Sequence, residues 1–277
     1  MRKRGAKRNN VIPGFGLSLG VTITLVSLLV LIPLLSIFVV LSGMTLRELF
    51  TAVTGPQVVA TYKVSLRCAL VAALVNCVFG VILAWILTRY KFPGRRILDG
   101  LIELPFALPT AVAGIALTTL YADTGWFGGM FAKLGVKISY TTTGITIALI
   151  FIGIPFVVRS IQPVLEKLDG QYEEAARMLG ASRSRTFFRV ILPELMPALL
   201  TGFGLAFARG IGEYGSVVFI AGNIPYKTQI TPLIIMSKLE QFNYGAAAGI
   251  ALVMILFSFI VLFGINLIGT KLSKTSV

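Results

Sequence analysis

Five stretches of this chain carry no charged side chain: 9–46, 68–88, 104–122, 138–158 and 241–270. Each is at or near the ~20 apolar residues that a helix needs to cross a bilayer. A sixth, about 196–221, is interrupted by Arg209 and Glu213. With 56% hydrophobic and 13% charged residues over 277 positions, the chain has more apolar side chain than a soluble domain of that size buries. It reads as an all-α integral membrane protein with six transmembrane helices, at about 14–42, 64–88, 98–121, 141–161, 196–221 and 246–269. No linker or composition shift divides 14–270, so one transmembrane domain is expected between a basic tail over 1–13 and a short tail over 271–277.

The net charge of +14 would suggest nucleic acid in a soluble protein, but its distribution speaks for topology here. With the N-terminus in the cytoplasm, the inside segments hold seventeen Lys and Arg and the outside segments six, Arg67 and Arg209 lying in or at the edge of helices. Lys and Arg favour the cytoplasmic side, which puts both termini inside. The partner implied is a lipid bilayer, not nucleic acid. The N-terminal basic cluster is followed by an apolar run too long for a secretory signal and by no small-residue cleavage site, so it reads as a retained first helix.

Thr45 and Glu48 stand in capping-box spacing ahead of Leu46, Leu49, Phe50 and Val53, which predicts a short amphipathic helix on the outer surface. An outer loop with Trp126 and Gly128-Gly129 is expected before the fourth helix. Cys68 and Cys77 share one predicted helix and imply neither disulfide nor metal. The chain has no His, which removes the commonest general base and metal ligand. "LPFALPTAVAG" (104–114) and "LPELMPALLTG" (192–202) echo each other. Pro removes an amide donor and frees a carbonyl four residues back, so Pro105 and Pro109 make a candidate kink or gate, alone or together with the second motif.

One polar stretch stands out between greasy ones: "EEAARMLGASRSRTFFRVILPE", residues 173–194. Glu173 and Glu174 suit the first turn of a helix starting near Gln171, Ala175 and Ala176 let another surface approach, and Gly180 fits a left-handed stop. "SRSRTFFRVIL" then predicts a second, basic amphipathic helix ending at Leu192-Pro193. A bent helix between two membrane helices suits docking into a partner. The alternative is a solvated loop with Arg183, Arg185 and Arg189 on anionic head groups.

The spacing Glu174-Ala175-Ala176, Gly180, Val190, Leu192-Pro193 resembles the EAA loop of binding-protein-dependent ABC importer permeases, with Val190 where that pattern has Ile. Together with "PQVVATYKVSL", "AWILTRYKFPGRR", "ELPFALPTAVAG", "IPFVVRSIQPVLE" and "ARGIGEYGSVVFIAGN", it is similar to the T-type (U-type) subunits of sulfate/thiosulfate permeases over nearly the whole chain. Molybdate permeases share the "FPG" turn but more usually continue Leu-Pro-Pro where this chain has Leu108-Pro109-Thr110. The resemblance implies a type I ABC importer (MetI-like) permease fold in a bacterial-type plasma (inner) membrane. It implies a coupling loop over 162–193 in which Glu173, Glu174, Ala175, Ala176, Gly180, Leu192 and Pro193 dock an ATPase. It also implies a second, W-type permease, two ATPase subunits and an external sulfate-binding protein. The chain has no P-loop, so no cofactor is expected on it; ATP and Mg belong to the partner ATPase, and the chain is not itself an enzyme.

Charges inside a membrane are functional candidates. Arg209 and Glu213 are four apart and suit either mutual neutralisation or the pathway. An unpaired Arg facing the pathway would hold a dianion too firmly, since conduction needs weak binding. Neutral donors are therefore favoured: the Thr110 and Ser216 hydroxyls and amides near Gly114, Gly212 and Gly215. Glu103 lies near the inner end of the third helix. A permease for another oxyanion such as molybdate is an alternative substrate class. A secondary anion transporter is an alternative of another kind, and would call for ion-coupling acids or broken helices in both halves.

Overall fold

The computed structural model describes residues 15–168 and 170–275; the basic tail expected over 1–13 lies outside the described residues. The described chain is helical: α1 Phe15–Ser42, α2 Leu46–Thr54, α3 Pro56–Arg89, α4 Arg95–Ala107, α5 Thr110–Tyr121, α6 Trp126–Lys133, α7 Thr142–Lys167, α8 Gln171–Met178, α9 Arg183–Ile211, α10 Gly215–Ala221, α11 Thr231–Glu240 and α12 Tyr244–Thr275.

The centre of the bundle is α3, α7 and α9. Cys68 lies beside the Thr142 carbonyl, Gly80 beside Val157, and Arg89 beside Leu168, so α3 and α7 run parallel. Gly202 meets Val157 and Gly210 meets Ala69, which makes α9 antiparallel to both. Helices in a membrane gain little from burying apolar groups against one another and associate through close packing of small residues. Ala69, Ala72, Ala73 and Ala84 provide such a seam on α3. At Gly80 the approach is close: a Cβ there would stand 2.5 Å from a Val157 methyl. α12 packs on α9 and α11 and carries α1 and α2 on its flank.

The expected spans are present with altered ends. The helix expected over 64–88 begins at Pro56, whose missing amide costs nothing at a helix start. The third helix is not one kinked rod over 98–121. It breaks at Leu108 and Pro109, and Arg95–Ala107 and the following stretch Thr110–Lys133 differ in direction by 113°. Leu108 is extended (φ −87°, ψ 136°), as the residue before a proline prefers. α3 and α7 run parallel, so the intervening chain must return across the bundle, and this broken pair makes the sixth crossing. Tertiary contacts fix the angle. Arg159 of α7 holds α4 by Asp99 (2.9 Å) and Glu103 (2.6 Å), while α5 lies on α10.

The helix expected to end at Leu192-Pro193 continues instead, without interruption, to Ile211, so the fifth span begins at Arg183 rather than 196. A π turn over Phe187–Ile191 explains this, with the Leu192 amide bonding back to the Phe187 carbonyl. The widened turn takes up the space and the hydrogen bond that Pro193 would otherwise disrupt. The same device, Ser27–Leu31, precedes Pro33 in α1. The two Leu-Pro motifs are therefore not equivalent bends. The fifth span also stops earlier than 221, at Ile211, with α10 following as a separate piece. The expected capping box is formed: Thr45 N–H donates to Glu48 Oε2 (2.8 Å) and Glu48 N–H to Thr45 Oγ1 (3.2 Å). Leu49 and Val53 of α2 press on Gly249, whereas Leu46 and Phe50 are exposed. The outer loop at Trp126 is instead a helix, α6, with Trp126 on its surface. Cys68 and Cys77 are free thiols.

Candidate functional site

Two features combine the residues singled out in the sequence. The first is the bend at α8. Glu173 and Glu174 stand in its first turn, where the helix dipole favours them. The helix is stopped by Gly180 at φ +78°, with Gly180 N–H on the Arg177 carbonyl (2.9 Å) and Ala181 N–H on the Ala176 carbonyl (3.0 Å). This 5→2, 6→1 pair satisfies the last carbonyls of the helix and turns the chain sharply. Ser182 then caps α9, its hydroxyl accepting from Arg185 N–H.

The seven expected docking residues divide. Glu174 and Ala175 are exposed, but Ala176 is buried against the chain itself and Glu173 turns inward to Arg89 (3.1 Å). Leu192 and Pro193 lie inside α9, beyond the π turn. The sequence reading missed Met178 and Leu179, which are 92% and 89% exposed at the C-terminal end of α8. An apolar pair directly before the glycine stop of an otherwise polar helix was the available signal.

The second feature is an interlock of broken helices. Pro105 is buried in α4, and Pro109 precedes the first residue of α5, Thr110. Across from it, α9 ends at Ile211 and α10 starts at Gly215. Gly215 lies on the Thr110 hydroxyl, and Gly114 lies on the Ser216 backbone, where a Cβ would stand 2.6 Å from the carbonyl oxygen. Thr110 and Ser216 are thus brought to one seam. The Ser216 hydroxyl is wholly buried with no hydrogen-bond partner among the described residues.

Arg209 and Glu213 pair at 2.5 Å, but not on one continuous helix, since Glu213 lies beyond the end of α9. Glu213 is 1% exposed, and its other oxygen accepts the Ser216 amide (2.8 Å). The Gly212 amide donates to the Ala208 carbonyl, and Gly114 is pressed into a helix contact, so these positions serve structure before ligand. Beside the break opens an apolar groove of about 610 Å³, lined by Ile211, Gly212 and Tyr214 and by residues of α11 and α12 such as Ile235, Met254 and Phe259. No group of His, Cys, Asp or Glu able to hold a metal occurs among the described residues.

Residues 76–274 match the family model of the binding-protein-dependent transport system inner membrane component. The chain is 50% identical over 267 residues, 96% of each chain, to the sulfate transport system permease protein CysT of Salmonella typhimurium. It is 47% identical over 240 residues, 87% of this chain and 86% of the relative, to that of Synechococcus elongatus. Its fold matches a chain of a bacterial ABC transporter that imports the acidic polysaccharide alginate, with TM-score 0.77 at 14% identity, covering 93% of this chain and 96% of that one. It also matches a chain of the MetNI methionine ABC transporter, with TM-score 0.59 at 16% identity, covering 83% and 99%. The matched segment holds both the α8 bend and the broken-helix seam, and the chain accordingly belongs to the family of inner membrane components of binding-protein-dependent transport systems.

Proposed function

We propose that this chain is a membrane subunit of an ATP-driven importer of sulfate, working in an inner-type plasma membrane with both termini in the cytoplasm. Identity of 50% to a sulfate permease across 96% of the chain carries this reading. ATP is hydrolysed by a separate subunit, which α8 meets through Glu174, Ala175, Met178 and Leu179. Closure of that subunit moves α8, and α9 carries the movement inward. Its 29 residues form a rod about 43 Å long at 1.5 Å per residue, with no break before Ile211. The rod ends at the seam of α5 and α10, where a displacement shifts Thr110 against Ser216.

The anion passes neutral hydroxyl donors there, since a free guanidinium would bind it too tightly for release; Glu213 keeps Arg209 neutralised. Replacing Thr110 and Ser216 together by Ala is expected to lower uptake about tenfold, the effect of losing a hydrogen bond to a charged group. Parental uptake by that variant would remove the two hydroxyls from the pathway. The apolar groove beside the break is the seat of a second, W-type permease subunit, and an external sulfate-binding protein delivers the anion. The bacterial alginate ABC transporter, which shares this fold, is described in complex with an alginate pentasaccharide-bound periplasmic protein.

Uptake of radiolabelled sulfate by cells with and without this chain tests the substrate. Loss of uptake on deletion, with thiosulfate competing strongly and molybdate weakly, is expected. Unchanged sulfate uptake, with other routes removed, would move the substrate to another oxyanion.

A further inference from the structure

The segment "LTRYKFPGRR" has no role in the transport path above, yet its Arg89 stands where four elements meet. Arg89 is the last residue of α3. Its Nη2 lies 3.1 Å from Glu173 Oε1 on α8 and donates to the Leu168 carbonyl (3.1 Å) at the end of α7. Its guanidinium lies 5.7 Å over the Trp85 ring, which in turn meets Phe187 of α9 edge to face at 5.6 Å. The pair is only 24% and 22% exposed, in a half-enclosed hollow walled by Trp85, Phe187 and Ile191. Screening by water is therefore weaker than for a surface ion pair.

We propose that Arg89 is a positioning residue for coupling: it clamps α8 to the end of α3, so that motion of the docking helix reaches α3 and not only α7 and α9, which adjoin it along the chain. The proposal rests on the docking of α8 described above. α8 keeps its own shape through the Gly180 stop, and the Ser182 cap holds the start of α9; neither involves Arg89. Its outward face, with Glu174, Met178 and Leu179, does not involve Arg89 either. Loss of the clamp therefore leaves a folded docking helix whose angle to α3 is no longer fixed. The signature is an importer that still binds its ATPase but moves less anion per ATP.

The complete importer in proteoliposomes provides the test, with anion transported per ATP hydrolysed as the readout and bound ATPase measured in parallel. Arg89→Gln and Glu173→Gln are each expected to lower that ratio about fivefold with bound ATPase unchanged, as loss of a partly buried ion pair should. The double variant is expected to be no worse than either single one, because residues in one interaction are not additive. The exchange Arg89→Glu with Glu173→Arg is expected to recover at least part of the ratio. Additive losses, an exchange no better than the singles, or an unchanged ratio would overturn the clamp. Leu179→Arg, on the exposed face, separates this from failure of the docking itself. If it releases the ATPase while Arg89→Gln leaves the ratio unchanged, only the clamp is wrong. If it neither releases the ATPase nor reduces uptake, the docking of α8 is wrong and the clamp falls with it.

Discussion

Replacing Gly180 by Pro is expected to abolish sulfate uptake while leaving the chain in the membrane at its parental level. Gly180 holds φ +78°, and the proline ring fixes φ near −65°, so the bend between α8 and α9 cannot form. The substitution also removes the amide that bonds the Arg177 carbonyl. A conflict of about 3 kcal/mol or more corresponds to roughly a hundredfold change in the population of the correct bend. The damage stays local because Gly180 is exposed, with nothing within 4 Å of a Cβ built there, and the α3–α7–α9 core is untouched. Gly180→Ala meets only the left-handed penalty of about 1–2 kcal/mol and should retain partial uptake. Uptake, membrane content and ATPase capture measured on the same cells check this. Parental uptake by the Pro variant would mean that the bend is not the coupling element.

Glu213 should be the most sensitive side chain in the membrane part. Both its oxygens are engaged, one by Arg209 and one by the Ser216 amide, and it is 1% exposed. Glu213→Leu leaves the Ser216 amide buried without a partner and Arg209 without its counter-charge. Removing one member of a buried pair costs about 3–5 kcal/mol. Arg209 is 37% exposed, which reduces its share by solvation, so about 3 kcal/mol is expected. Glu213→Gln still offers an oxygen to the amide and should lose about 1 kcal/mol. The thermal midpoints of the purified proteins in detergent order these variants: parent, then Gln, then Leu well below. Adding Arg209→Met to Glu213→Leu should restore part of the loss, since the stranded charge is gone. Equal midpoints for the Gln and Leu variants would show that neither the cap nor the pair holds the α9–α10 break in place.

The two proline motifs show where local sequence stops being informative. Both predict a disturbed helix, and the chemistry is the same in each. The first breaks by 113° because Arg159 fixes α4 on α7 while Gly114 fixes α5 on Ser216. The second stays helical because a π turn before Pro193 absorbs the strain within a rod already packed between α3 and α7. Likewise Glu173 and Glu174 are neighbours of identical type in one helical turn. One faces outward and the other reaches Arg89, 84 positions earlier in the chain.

Membrane residence, the number of crossings, the amphipathic α2 with its capping box and the glycine stop after α8 follow from the sequence by itself. Each is set by interactions within a few residues, or by the simple requirement that ~20 apolar residues span a hydrocarbon layer. The course of the third span, the unbroken α9, the meeting of Thr110 with Ser216 and the Arg89 clamp were decided only by the tertiary structure. These depend on which helices lie side by side. In lipid that choice rests on close contact between small residues and on a few paired charges, which bring together positions far apart in the chain and leave no periodic trace along it.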